Sequence, residues 1–136
     1  MSKMNTYIDD IPPGIGPHEG RELELMLAGE KPVAMFNDDI PEGLEHPENL
    51  FSPYVKKGQF ISREVMIRFV KLDLLKLRYI FFASPNEGWR IERLITIHQE
   101  IHEKGTPTTC ELEREIGQLL GYSESDIQVY LNRNFS

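Results

Sequence analysis

Hydrophobic residues recur at helical spacing between residues 85 and 105, the longest such pattern in the chain. The stripe consists of Trp89, Ile91, Leu94, Ile95, Ile97, His98 and Ile101. Asn86 can cap the start of this helix, and Gly105 stands where a helix ends in a left-handed turn. We predict that this helix is the centre of the core. We also predict that Trp89, the only tryptophan, packs against Tyr79 or Phe81.

Two patterns typical of β-strands precede this helix. Between residues 59 and 71, Val65, Ile67 and Phe69 occupy every second position, the period of a half-buried strand. Residues 77–83 are rich in aromatic and β-branched side chains, which predicts a central strand. The leucines between residues 71 and 76 fit either an extension of a strand or a turn.

A third strand and three further helices complete the predicted elements. The strand, at residues 33–36, belongs at the sheet edge, because Pro32 cannot donate a hydrogen bond to a neighbouring strand. One helix spans residues 17–28, a capping box of Thr108 and Glu111 opens another, and a last one follows residue 123. The sequence therefore predicts an α+β fold. A small antiparallel sheet of about three strands is covered on one face by about four helices, three of them consecutive at the C-terminus.

The remaining segments predict loops within a single domain. A chain of 136 residues is expected to form one domain. Residues 1–16 are polar and then rich in proline and glycine, which predicts an extended N-terminal segment. Residues 37–53, here called the acidic segment, contain three prolines and five carboxylates and predict a long loop.

Composition narrows the possible functions. The net charge of −7 disfavours contact with nucleic acid phosphates unless the basic residues lie together on one face. A single cysteine, Cys110, excludes an internal disulfide framework and a cysteine-rich zinc site. No apolar run has the length of a membrane span, and the first residues lack the apolar core of a signal peptide, which predicts a cytoplasmic protein. No catalytic or cofactor-binding motif is found, so we predict neither.

Two histidines, His98 and His102, are four residues apart and would share one face of the long helix. This is the spacing of a two-histidine metal site, to which Cys110 or Glu103 could add a ligand. His98 also falls within the apolar stripe, where a histidine hydrogen-bonded in the core is common. A small metal-dependent enzyme is therefore only the third hypothesis for function.

The segment 114–133 resembles the two-helix unit of helix-turn-helix DNA-binding proteins. The matching positions are Ile116, Leu120, Gly121, Ile127 and Leu131. In that family the second helix enters the major groove, and its early residues contact base edges. Those residues here are Glu124, Ser125 and Asp126, whose carboxylates would face the DNA phosphates. A purely structural helical hairpin has the same spacing, and a DNA-binding regulator is the second hypothesis.

The first hypothesis is a non-enzymatic protein-interaction module of the inhibitor, immunity or adaptor type. The acidic balance suits a partner with a basic surface. The acidic segment and the aromatic residues at its end provide the predicted contacts, because interfaces favour aromatic anchors with charges around them. The candidate contact residues are Asp38, Asp39, Glu42, Glu45, Phe51 and Tyr54.

Overall fold

Three antiparallel strands form one sheet in the computed structural model, which describes residues 18, 20–40 and 43–135. The outer strands, β1 (Val33–Asn37) and β2 (Ile61–Phe69), flank the central β3 (Leu75–Ala83). The predictions of an edge strand after Pro32 and of a central aromatic strand are both confirmed. The register places Val33 and Ile61 on either side of Ala83.

Within the described ranges, five α-helices pack around the sheet. They are α1 (Glu22–Leu27), α2 (Glu48–Lys56), α3 (Gly88–His98), α4 (Cys110–Leu120) and α5 (Glu124–Phe135). The predicted α+β class, with three consecutive helices at the C-terminus, is confirmed. Among the described residues, no helix has both the length and the apolar character needed to cross a bilayer.

Helix ends differ from the predictions in two places. The side chain of Thr109, rather than that of Thr108, caps α4 by accepting the N–H of Leu112 at 3.2 Å. The first helix begins at Glu22, four residues after His18, and Gly20 in between has a φ of 76°. Left-handed backbone interrupts a helix, and this is why the helix predicted for residues 17–28 is shorter. The predicted extended segment 1–16 lies outside the described residues.

The core lies on both faces of the sheet, whereas the sequence predicted helices on one face only. One cluster joins Tyr79 and Phe81 of β3 to Leu94 of α3 and Leu119 of α4. The second lies on the opposite face, since side chains alternate along a strand. Its buried members are Met26, Ala34, Phe51, Phe60, Ile80 and Phe82. The one-face prediction was wrong because α2 was not recognised and because α1 packs on this second face through Met26.

Helix α2 occupies residues that the sequence predicted to be part of a loop. Pro47 stands at its N-cap and Pro53 inside it, and these two prolines suggested irregular structure. Packing of one helix face against the sheet stabilises α2 despite the interior proline. Its Phe51 is buried, and Tyr54 and Val55 pack partly buried against the same cluster.

Trp89 lies at the surface and does not anchor the core. Its side chain is 58% exposed, and the guanidinium carbon of Arg90 lies 4.7 Å from its ring centroid. At 100° per residue, Trp89 is about 200° from Ile91 around the helix axis, so the two cannot share a buried stripe. The prediction that Trp89 packs against Tyr79 or Phe81 is therefore wrong. The core role belongs to Ile91, Leu94 and Ile97, all fully buried.

Candidate functional site

Arg78, in the central strand, binds carboxylates from three separate segments. Its guanidinium donates to Asp38 at 2.9 Å, to Glu48 at 2.5 Å and to Glu64 at 2.9 Å. These hydrogen bonds hold the pKa values of Asp38 and Glu48 below their ordinary values, and they raise the pKa of Arg78. Asp38, a predicted contact residue, thus belongs to an intramolecular network of hydrogen bonds that fixes the acidic segment to the sheet.

The other predicted acidic contact residues are Asp39, Glu42 and Glu45. Asp39 and Glu45 are exposed, and Glu45 accepts a hydrogen bond from the side chain of Asn49 at 3.0 Å. Glu42 lies outside the described residues. Of the three acidic candidates that the structure describes, Asp38 is bound by Arg78, whereas Asp39 and Glu45 are exposed.

The two aromatic candidates do not form an exposed anchor. Phe51 is 1% exposed and stacks on Phe82, with 4.4 Å between the ring centroids. Tyr54 is half-buried, beside Phe60, with the ammonium of Lys57 5.6 Å from its ring centroid. Phe51 is thus a core residue with almost no exposed surface of its own.

His98 and His102 do come together, as their spacing predicted. Their rings stack with 5.5 Å between centroids, although the backbone changes after His98 from α-helix to a π-helical turn, Gln99–Glu103. His98 is buried, and neither of its ring nitrogens has a hydrogen-bond partner among the described residues. Burial, together with the nearby His102, lowers the pKa of His98 to about 4. Burial also lowers the pKa of His102.

A metal centre at these histidines lacks further ligands in the described part of the chain. No three side chains of histidine, cysteine, aspartate or glutamate lie there in a group that could hold an ion. The carboxylate of Glu103, suggested as a third ligand, instead accepts the backbone N–H of Arg68 at 3.1 Å. The two imidazoles alone do not make the closed or three-ligand set that protein zinc sites use.

The C-terminal helical hairpin of α4 and α5 is packed onto the domain at its turn. A Cβ placed on Gly117 would lie 2.8 Å from Cγ1 of Ile127, so the two helices are in close contact. Gly121 ends α4 with a φ of 89°, and Lys31 donates to the carbonyl of Leu120 at 2.6 Å. The hairpin predicted from sequence is therefore present, and it closes the core beside β1.

Few cations are available on the helical hairpin for phosphate contacts. Arg114 donates to Glu124 and, at 2.9 Å, to Gln128, the early residues of α5. The first turn of α5 also carries Asp126. Arg114 and Glu124 neutralise one another, and Asp126 adds a negative charge at the end of the helix that a helix-turn-helix protein presents to DNA.

Several exposed apolar side chains lie close together in sequence at the turn between β2 and β3. Residues 70–76, here called the β-hairpin tip, are all exposed. Its apolar members are Val70, Leu72, Leu74 and Leu75. Met66 is exposed on β2, and Lys71 and Lys76 form no ion pair with any described residue. The tip is thus apolar, and its two lysines outnumber its single carboxylate, Asp73.

The sequence pattern of the β-hairpin tip does not mark it as a surface. Its leucines fitted a strand extension as well as a turn, and neither predicts exposure. The available signal was the high density of leucine and lysine between two strands without a tight-turn motif.

Comparison with family models, curated proteins and solved structures gives no match to this chain.

Proposed function

We propose that this protein is a non-enzymatic protein-interaction module that contacts its partner through the β-hairpin tip. The observation that carries the proposal is the exposure of four large apolar side chains within residues 70–76. Scattered exposed apolar residues are ordinary, but contiguous ones mark interaction surfaces. Leu72 and Leu74 are 56% and 57% exposed on the same short turn.

The backbone of the tip supports this proposal. Asp73 and Leu74 have φ values of 55° and 64°, in the left-handed region. A leucine in this conformation costs about 1–2 kcal/mol. Asparagine or glycine would fit the turn with less strain, and an exposed leucine gains no core packing in return. Strained residues that persist without a packing reason are concentrated at functional sites.

The charges of the tip indicate the chemistry of the partner. Lys71 and Lys76 flank the leucines, and Arg68 precedes them. An apolar groove bordered by acidic groups would complement this surface. This differs from the basic partner predicted from the net charge. The acidic segment offers a weaker surface, because Arg78 binds Asp38 and Phe51 is buried.

A lipid surface is a weaker match to the same residues. Each basic residue near an anionic membrane contributes only about 1 kcal/mol. The chain as a whole has a net charge of −7 and is repelled by such a membrane. A protein partner is therefore favoured over a bilayer.

A double variant, Leu72→Ser with Leu74→Asn, tests the proposal. Asparagine tolerates the left-handed backbone, so we expect the variant to be as stable as the parent. In affinity capture from cells of the natural source, we expect the parent to retain a partner protein that this variant does not retain. Thermal melting of the variant checks that folding is intact.

The matched control is Leu44→Ser with Leu50→Ser, which removes leucines that are 61% and 60% exposed outside the tip. This control should retain the same protein. Once that protein is purified, it should bind the parent and the control but not the tip variant. If the folded tip variant retains everything that the parent retains, the proposal is wrong. Cosedimentation of the parent, but not of the tip variant, with phosphatidylserine vesicles would assign the tip to lipid instead and also overturn it.

A further inference from the structure

A cleft of about 230 Å³ opens beside the base of the β-hairpin tip. It is lined by Phe69, Lys71, Ile101, His102 and Thr108. These residues come from the end of β2, the following turn, the π-helical turn and the loop before α4. Pockets for drug-sized ligands are larger, about 300–1,000 Å³, so this cleft suits a ligand of about one ring.

The π-helical turn builds one wall of the cleft. The N–H of Lys104 donates to the carbonyl of Gln99, five residues earlier, at 3.1 Å. This wider turn carries Ile101 and His102, which line the cleft. Single π-turns cost regular helix geometry and occur frequently at functional sites. A plain α-helix continuing from His98 would satisfy the backbone equally well.

Aromatic and imidazole rings lie in a row from this wall of the cleft into the core. Phe69 lies 4.2 Å from His102 between ring centroids, and His102 lies 5.5 Å from His98. His98 in turn lies 5.3 Å from Tyr79 in the core. The outer pair, Phe69 and His102, offers an aromatic surface, and ring-on-ring contacts contribute about 0.5–1.5 kcal/mol beyond apolar burial.

The buried imidazole behind this wall is a second feature that core packing does not explain. Neither nitrogen of His98 has a hydrogen-bond partner among the described residues. A buried polar group left in this state costs about 1–3 kcal/mol. Each such group calls for an explanation, and a role at a nearby site is one of the usual ones.

The polar groups of the cleft favour an anion. Lys71 supplies an ammonium and Thr108 a hydroxyl, and the lining residues that the structure describes include no carboxylate. Two acidic residues are adjacent in sequence to the lining residues: Glu103 accepts the N–H of Arg68 at 3.1 Å, and Glu100 accepts a hydrogen bond from Lys104 at 2.9 Å. A carboxylate at this position would form a charge-assisted hydrogen bond with Lys71.

We propose that the cleft binds a small aromatic carboxylate. Its ring would lie against Phe69, His102 and Ile101, and its carboxylate would be bound by Lys71 and Thr108. The inference goes beyond the proposed function and does not rest on it, since the cleft needs no protein partner. It adds a small-molecule site to the base of the same β-hairpin.

Titration of the isotopically labelled protein with benzoate tests this inference by NMR. We expect saturable shifts of the His102 ring and of the Thr108 and Ile101 methyl resonances, with a Kd on the order of 1 mM. Benzamide keeps the ring without the charge, and acetate keeps the charge without the ring. Each should bind at least about fivefold more weakly, because each lacks one of the two contacts.

Lys71→Met keeps the apolar stem of the side chain and should weaken benzoate binding about 5- to 10-fold. Lys76→Met removes a neighbouring lysine that does not line the cleft and should change the Kd by less than about twofold. Absence of saturable shifts would overturn the inference. So would equal binding of benzamide, or equal effects of the two lysine variants. The titration contains no partner protein, so its result is separate from that of the capture experiment.

Discussion

Phe51→Ala is expected to lower the free energy of unfolding by about 3–5 kcal/mol, the usual cost of truncating a fully buried phenylalanine. Phe51 is 1% exposed and stacks on Phe82 within the second core cluster. Its removal would leave a cavity bordered by Phe36 and Phe60, whose ring centroids lie 5.6 and 6.1 Å away. Urea denaturation followed by circular dichroism measures the change.

Leu50→Ala is the matched control for this prediction. Leu50 precedes Phe51 on the same helix but is 60% exposed, so its truncation should change stability by less than about 0.5 kcal/mol. Similar losses for the two variants would contradict the placement of α2 on the sheet. Such a result would instead favour a loosely attached acidic segment, as the sequence first suggested.

Acid should destabilise the protein through His98. Burial lowers the pKa of His98 from 6.5 to about 4 in the folded state. The unfolded chain therefore takes up this proton first as the pH falls. The contribution of the neutral imidazole to stability is complete above pH 6.5 and is lost as the pH falls from 6.5 to about 4. This difference between the two pKa values corresponds to a loss of about 3 kcal/mol in the free energy of unfolding.

His98→Leu isolates this contribution from those of the other titrating groups. The variant removes two buried nitrogens that lack partners, so we expect it to be at least as stable as the parent at pH 7. Its advantage should then grow by up to about 3 kcal/mol as the pH falls to 4. Stability curves that stay parallel between pH 7 and pH 4 would show that His98 titrates normally and is solvated.

Much of the fold follows from local sequence patterns. The alternation along β2 and the aromatic residues of β3 identify two strands, because these patterns report burial on one or both faces. The proline before β1 marks an edge strand, because it cannot donate a hydrogen bond to a neighbour. Helix α2 could not be predicted in this way. Pro47 and Pro53 suggest a break, and only the sheet face that receives Phe51 stabilises the helix.

The candidate surface was harder to predict than the fold. A leucine in the tip and a leucine in the core have the same identity in sequence, and only the three-dimensional arrangement shows which is exposed. The exposure of Trp89, by contrast, agrees with its helical position, about 200° from Ile91 around the axis. The pairing of His98 with His102 also follows from helical geometry, and it is found although the helix changes to a π-turn.

Site-specific photo-crosslinking tests most directly whether the β-hairpin tip is the contact surface. A photoreactive phenylalanine analogue is placed at Leu72 or, as the control, at the equally exposed Leu44. The protein is then irradiated in cells of its natural source. We predict a crosslinked product of one discrete mass from position 72 and none from position 44. A discrete product from position 44 alone, or none from position 72, would contradict the assignment of the contact surface to the tip.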